Sequence, residues 1–255
     1  SKAIKYYESA AKLNNCEALN SLGDLYYSGE DIEKNISKAI KYYESAAESN
    51  NSEALNKLGD IYFEGDDVEE NIPKAIKYYE SAARLNNSKA LNSLGDLYYS
   101  GEYVEENISK AIKYYESAAK LNNCEALNSL GDLYYFGKYV EENISKAIKY
   151  YESAAKLNNC EALNSLGDLY YSGEDIEKNI SKAIKYYESA AESNNSEALN
   201  KLGDIYFFGR FTGKDIPKAI KYYETAAKFN NSEALNKLGY IYDNGYGVQK
   251  NYLKA

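Results

Sequence analysis

The chain has 255 residues, with 30 Lys and Arg against 39 Asp and Glu, no His, and a net charge of −9. That acidic balance excludes nucleic acid as the expected partner, because a phosphate backbone is met by a basic surface. No apolar run approaches the ~18 residues of a membrane helix, so membrane insertion is not expected.

The pair Leu22-Gly23 returns at Leu58-Gly59, Leu94-Gly95, Leu130-Gly131, Leu166-Gly167, Leu202-Gly203 and Leu238-Gly239, always 36 residues on. A fixed period of this size marks an array of stacked units, which grows by addition rather than by enlarging one core. Residues 1–14 read as the second half of a unit. Six complete units run from 15 to 230, and 231–255 form a partial unit, so 1–255 is expected to be one array. Ser1 opens the chain and Met is missing throughout, so it is expected to be a piece of a longer protein, without a leader of its own.

Within the first complete unit, Asn15 is placed to cap a helix whose first turn carries Glu17. Ala18, Leu19, Leu22, Leu25 and Tyr26 draw one apolar stripe at helical spacing. Gly23 interrupts it, which predicts a close approach by a neighbouring helix, and Gly29 predicts a left-handed cap. After a short charged linker, Asn35 is placed to cap a second helix, whose stripe is Ala39, Ile40, Tyr43, Ala46 and Ala47, with Lys41, Ser45 and Glu48 outward. Pro73 and Pro217 fall in the first turn of this helix in their units, where Pro is tolerated. Asn50 stands where Gly usually closes a helix in the left-handed conformation. Helix pairs joined by short turns make antiparallel hairpins, and stacked hairpins make an all-α solenoid, or superhelix.

The pattern A-x-x-x-L-G-x-x-Y-x-x-G, followed by a short loop, K-A, an aromatic pair and A-A, resembles the Sel1-like repeat, a relative of the tetratricopeptide repeats. In the first complete unit it is carried by Ala18, Leu22, Gly23, Tyr26, Gly29, Lys38, Ala39, Tyr42, Tyr43, Ala46 and Ala47, and the pattern extends over the whole chain. Gly245-Tyr246-Gly247-Val248 matches the family loop. Asp31, Asp67, Tyr103, Tyr139, Asp175 and Phe211 replace its second glycine, which implies a differently shaped loop in those units. The resemblance implies a solenoid that mediates protein–protein contact, as a scaffold or adaptor.

Residues 1–63 recur unchanged as 145–207. A catalytic site in that block would exist twice, so a surface used many times over is the better expectation, and no enzymatic activity, cofactor or metal is expected. Cys16, Cys124 and Cys160 share a slot that holds Ser in other units and lack CxxC spacing, which fits neither a disulfide framework nor zinc. With no disulfide framework in view, the expectation leans to an intracellular compartment. Gly209–Lys214 is one residue short of a phosphate loop and reads as an ordinary linker. The 30 Tyr are assigned to the solenoid core rather than to base stacking.

One row is left for function. Opposite the apolar stripe of the first helix the sequence places Glu17, Asn20, Asp24 and Tyr27. The Asn recurs at Asn56, Asn92, Asn128, Asn164, Asn200 and Asn236. The Asp recurs at Asp60, Asp96, Asp132, Asp168 and Asp204, with Tyr240 in the last unit. On the related solenoids' pattern this row lines a concave face and meets a polar or basic protein segment. Hairpins repeat at about 10 Å and an extended peptide advances about 3.3 Å per residue, so each unit would meet about three residues. The competing expectations are a solvated polar face of no function, a structural component stacking through its ends, and an adaptor for a domain outside these residues.

Overall fold

The computed structural model describes residues 2–30, 32–65 and 68–248. Asp31, Asp67 and the last seven residues of the final unit lie outside the described residues. The described residues form fourteen helices and no strand: α1 (Lys2–Ala11), α2 (Cys16–Ser28), α3 (Ile36–Glu48), α4 (Ser52–Glu64), α5 (Ile72–Arg84), α6 (Ser88–Ser100), α7 (Ile108–Lys120), α8 (Cys124–Phe136), α9 (Ile144–Ala155), α10 (Cys160–Ser172), α11 (Ile180–Glu192), α12 (Ser196–Phe208), α13 (Ile216–Lys228) and α14 (Ser232–Asn244). The fold is an all-α solenoid of antiparallel hairpins. It divides into two compact units, residues 1–126 and residues 127–255, with the division inside α8.

Two asparagines make each joint between hairpins. Asn50 adopts the left-handed conformation at φ 59°, as do its six equivalents from Asn14 to Asn230. The Asn50 N–H donates to the Ala47 carbonyl and the Asn51 N–H to the Ala46 carbonyl, which is the Schellman closure of α3. Asn51 then starts α4, its side-chain oxygen accepting from the Ala54 N–H. Its amide group donates to the Cys16 carbonyl of the preceding first helix, as Asn87 does to Ser52 and Asn231 to Ser196. One residue thus ends a joint, opens a helix and ties two hairpins together. The turn inside each hairpin is closed by Gly29 at φ 68° and by the Asn35 N–H donating to the Tyr26 carbonyl at 2.8 Å. Asn35 caps α3, and Pro73 and Pro217 sit in the first turns of α5 and α13.

Each apolar cluster combines the second helix of one hairpin with the first helix of the next. Ala39, Tyr43 and Ala46 of α3 and Ala54 and Leu58 of α4 are fully buried together. The predicted stripes hold at these positions, while Tyr26, Ile40 and Ala47 are only partly buried around the cluster. Successive first helices also touch directly, α2 on α4 and α4 on α6 in the first unit and α10 on α12 in the second. The close approach expected at Gly23 is made by a side chain rather than by a helix backbone. A Cβ on Gly23 would lie 2.4 Å from Cε1 of Tyr43, so the missing side chain is the space the ring fills.

Candidate interaction surface

The buried tyrosine that covers the glycine also defines the polar row. Its ring is inside, so its hydroxyl needs a partner to remain buried without cost. It donates to the aspartate that follows the glycine: Tyr43 to Asp24 at 2.8 Å, Tyr79 to Asp60 at 2.9 Å, Tyr115 to Asp96 at 2.7 Å, Tyr151 to Asp132 at 2.7 Å, Tyr187 to Asp168 at 2.6 Å and Tyr223 to Asp204 at 2.7 Å. Each time the acceptor is Oδ1. The other carboxylate oxygen receives the side-chain amide of the asparagine one turn earlier, in five units from Asn20–Asp24 at 3.2 Å to Asn164–Asp168 at 3.3 Å. The unit of this surface is therefore an Asn–Asp–Tyr triad.

This corrects the expected orientation of the row. Asn56, Asn128, Asn164 and Asn200 do not face outward: they are buried, Asn56 and Asn200 to 2% exposure. The reason is the next hairpin, whose first helix lies against this flank of the stripe. A one-helix periodicity cannot show that cover. Asp24 and Asp96 are exposed, while Asp60, Asp132, Asp168 and Asp204 are partly exposed. Asn20 and Asn92 are partly buried and Asn236 is exposed, so the aspartates and the last asparagine are the most accessible part of the row.

Tyr27 is partly buried as well, and its hydroxyl lies 3.4 Å from Glu64 of the next first helix. Its equivalents reach the next loop, where they meet the residues that replace the family's second glycine. Phe63 packs edge-on against Tyr103, Tyr171 against Phe211, and the Tyr135 hydroxyl donates to Asp175. Sequence reasoning registered those replacements as departures and missed this contact. The constant offset of 40 residues between the partners was the available signal.

Loss of solvent around the carboxylates of Asp60, Asp96 and Asp132 pushes them above the ordinary carboxylate range, partly offset by the tyrosine hydrogen bond. Burial and the adjacent carboxylate push Tyr79 and Tyr151 far above the ordinary phenol range. A carboxylate raised in the fold stabilises below about pH 4 and loses that contribution as pH rises through its folded value. Asp60→Asn, which keeps an oxygen for Tyr79 and removes the charge, is expected to match or exceed the native stability at neutral pH. Asp60→Ala leaves the Tyr79 hydroxyl orphaned and is expected to cost about 1–3 kcal/mol. Urea unfolding of the two variants at pH 7 measures the difference, and equal loss in both would refute the triad.

A lysine in the first turn of a second helix sits on a stacked pair of tyrosines. Tyr26 stacks on Tyr42 with ring centroids 5.7 Å apart, and the Lys38 ammonium lies 4.9 Å from the Tyr26 ring. The same arrangement recurs at Tyr98, Tyr114 and Lys110, and at Tyr170, Tyr186 and Lys182. These lysines lie on second helices, whereas the first-helix side carries the aspartates together with Lys57, Lys89, Lys201 and Lys237. That side opens into clefts between successive first helices. One of about 320 Å³ is lined by Asp60, Phe63, Tyr79, Ser93, Asp96 and Tyr103, and one of about 340 Å³ by Asp132, Tyr135, Tyr151, Ser165, Asp168 and Lys201.

Other candidate chemistry stays structural. Cys16 and Cys160 sit half-buried in first turns, at the slot shared with Ser. Residues 209–214 connect α12 to α13 as a hairpin turn, with the Lys214 ammonium 5.3 Å from the Phe207 ring. Among the described residues no cluster of His, Cys, Asp and Glu has the makings of a metal site, and no helix is long and apolar enough to cross a membrane.

The Sel1 repeat family model matches residues 1–15, 16–51, 52–87, 88–123, 124–159, 160–195, 196–228 and 232–255. Among solved structures, the chain is similar to a protective antigen of uropathogenic Escherichia coli that displays an SLR fold. The TM-score is 0.84 at 27% identity, over 98% of this chain and 54% of that one, so the chain spans about half the length of that relative. It is also similar to a Sel1 repeat protein from Oxalobacter formigenes, with a TM-score of 0.83 at 31% identity over 89% of this chain and 96% of that one. An immunity protein from Pseudomonas aeruginosa shares the fold at a TM-score of 0.57 and 21% identity, over 86% of this chain and 84% of that one. No match was found among curated protein sequences.

Proposed function

Because the chain belongs to the Sel1 repeat family, whose members are in general non-enzymatic interaction scaffolds, we propose that it holds a basic protein segment on the first-helix side of its hairpins. The observation that carries this reading is the repeated triad. Tyr79 holds one oxygen of Asp60, and Tyr151 holds one oxygen of Asp132, so each carboxylate is fixed in direction before any partner arrives. Fixing a charged group in advance lowers the ordering cost of binding. The second oxygen is bonded only to a neighbouring amide, a weaker partner than a cation. The repetition of the row spreads recognition over several units, which suits an extended segment better than a compact ligand.

Octalysine carrying a fluorescent label is a suitable probe, followed by anisotropy. The expected result is saturable binding at low salt that weakens at about 0.3 M salt, where screening acts within a few ångströms. Labelled octaglutamine is expected not to bind. Octalysine binding no tighter than octaglutamine would overturn the proposal.

A further inference from the structure

We propose that the clefts between successive first helices are seats for single lysine ammonium groups, and that Lys237 is the molecule's own occupant of one such seat. This deepens the reading above and rests on it.

Lys237, on α14, reaches back to the preceding hairpin. Its ammonium lies 2.8 Å from Oδ2 of Asp204 and 3.2 Å from Oδ1 of Asn200, with the Tyr223 ring centroid at 5.7 Å and Glu233 at 3.7 Å. The asparagine is turned to suit. Its amide group no longer serves its own aspartate but donates to Glu233 Oε2 at 2.8 Å, which frees Oδ1 to accept from the lysine.

Stepping back one 36-residue period at a time, the Lys237 slot holds Lys201, Ser165, Ser129, Ser93, Lys57 and Ser21. Ser93 and Ser165 bring no charge to the aspartate of the preceding hairpin; each approaches the tyrosine hydroxyl beside it, of Tyr79 and Tyr151, and both line the open clefts described above. Both preceding hairpins hold the asparagine and aspartate of the seat, and Glu161 stands beside Asn128 as Glu233 does beside Asn200, whereas Lys89 takes that place beside Asn56. Asn56 and Asn128 are more than nine-tenths buried, and the Oδ1 atom of each has no hydrogen-bond partner. That orphaned atom is the one that accepts from Lys237 in the Asn200 hairpin. Lys201 shows an intermediate case, 3.7 Å from Asp168 Oδ1, while Asn164 Oδ1 stays without a partner.

An arriving ammonium therefore replaces the amide at Asp132, and Asn128 turns so that Oδ1 joins the aspartate as a second acceptor while its amide passes to Glu161; beside Asn56, Lys89 offers no acceptor for a turned amide, so the Asp60 cleft is the weaker seat. A buried acceptor left unpaired in the empty seat is satisfied in the filled one. Lysine suits the seat better than arginine, since a compact point charge has three donors for convergent oxygens, whereas a guanidinium is a planar fork.

The test is octalysine anisotropy with the full chain. Ser93→Lys with Ser165→Lys fills two seats from within and is expected to weaken octalysine binding about tenfold. Ser45→Lys with Ser189→Lys adds the same charge on exposed positions of second helices and is expected to change affinity less than about twofold. Lys237→Ser empties a seat and is expected to tighten binding about threefold. It keeps the proposal falsifiable should the first variant fail to fold, because an unchanged affinity for Lys237→Ser overturns the seats. Equal weakening by the two double variants also overturns them, while leaving a diffuse acidic face that binds basic segments. Absence of octalysine binding to the native chain overturns both readings.

Discussion

Gly95→Ala is expected to destabilise residues 1–126 by about 3 kcal/mol, although helix propensity alone favours Ala over Gly by about 1 kcal/mol. The added Cβ would lie 2.5 Å from Cε1 and 2.6 Å from Cδ1 of Tyr115. The ring has little room to retreat, being 2% exposed on a helix whose flanking Ala111 and Ala118 are fully buried. Moving it also stretches the 2.7 Å bond from its hydroxyl to Asp96. Overpacking of this kind costs about 1–3 kcal/mol, and loss of a hydrogen bond to a charged acceptor about 1.5–3 kcal/mol. Gly213→Ala serves as the contrast. A Cβ there meets nothing within 4 Å, and its φ of +79° leaves only local backbone strain, of about 1–2 kcal/mol. Denaturant midpoints of the two variants against the native chain decide the matter. A Gly95→Ala protein as stable as the native one would mean that the ring does not occupy that space.

Alkaline unfolding is the second large expected effect. Burial, with the neighbouring carboxylate, pushes Tyr43, Tyr79, Tyr151, Tyr187 and Tyr223 far above the ordinary phenol range. A group raised in the fold stabilises fully below its unfolded value, near pH 10 for tyrosine, and that contribution is lost as pH rises further. While these five stay neutral in the fold, each lowers stability by up to about 1.4 kcal/mol per pH unit above that point. Absorbance at the phenolate band and far-ultraviolet circular dichroism, followed together against pH, separate the two tyrosine classes. A first phase of ionisation with helicity intact is expected from solvent-exposed rings. The buried class is expected to ionise only as helicity is lost, in one cooperative step. Ionisation of all 30 tyrosines in a single phase with full helicity retained would contradict the triads.

Much of the fold was legible because its devices are local. The two asparagines at each joint, the glycine closing each first helix and the apolar stripes are all set by residues within one turn of each other. The polar row was only half legible. Its Asn–Asp spacing of four is local, and the two residues are joined by a hydrogen bond in the fold. Its burial was not local, since the cover over Asn56 comes from the next first helix, a full period away. The tyrosine bond was hidden for the same reason, although a sign of it was available. Tyr43 was assigned to the core, and a buried hydroxyl demands an acceptor. The invariant spacing of 19 residues from Asp24 to Tyr43 pointed to that acceptor.

The triad also changes which substitutions inform on binding. Removing the aspartate altogether orphans a core hydroxyl, so Asp→Ala confounds stability with recognition. Asp→Asn separates them, because the amide oxygen still accepts from the tyrosine while the charge is gone. On the reading proposed above, these carboxylates serve the fold through one oxygen and a basic partner through the other. The affinity of the combined Asp60→Asn, Asp96→Asn, Asp132→Asn and Asp168→Asn variant for labelled octalysine tests that division of labour. The expected result is a loss of at least about tenfold, with helicity and melting temperature no lower than those of the native chain. Native affinity in that variant would contradict it.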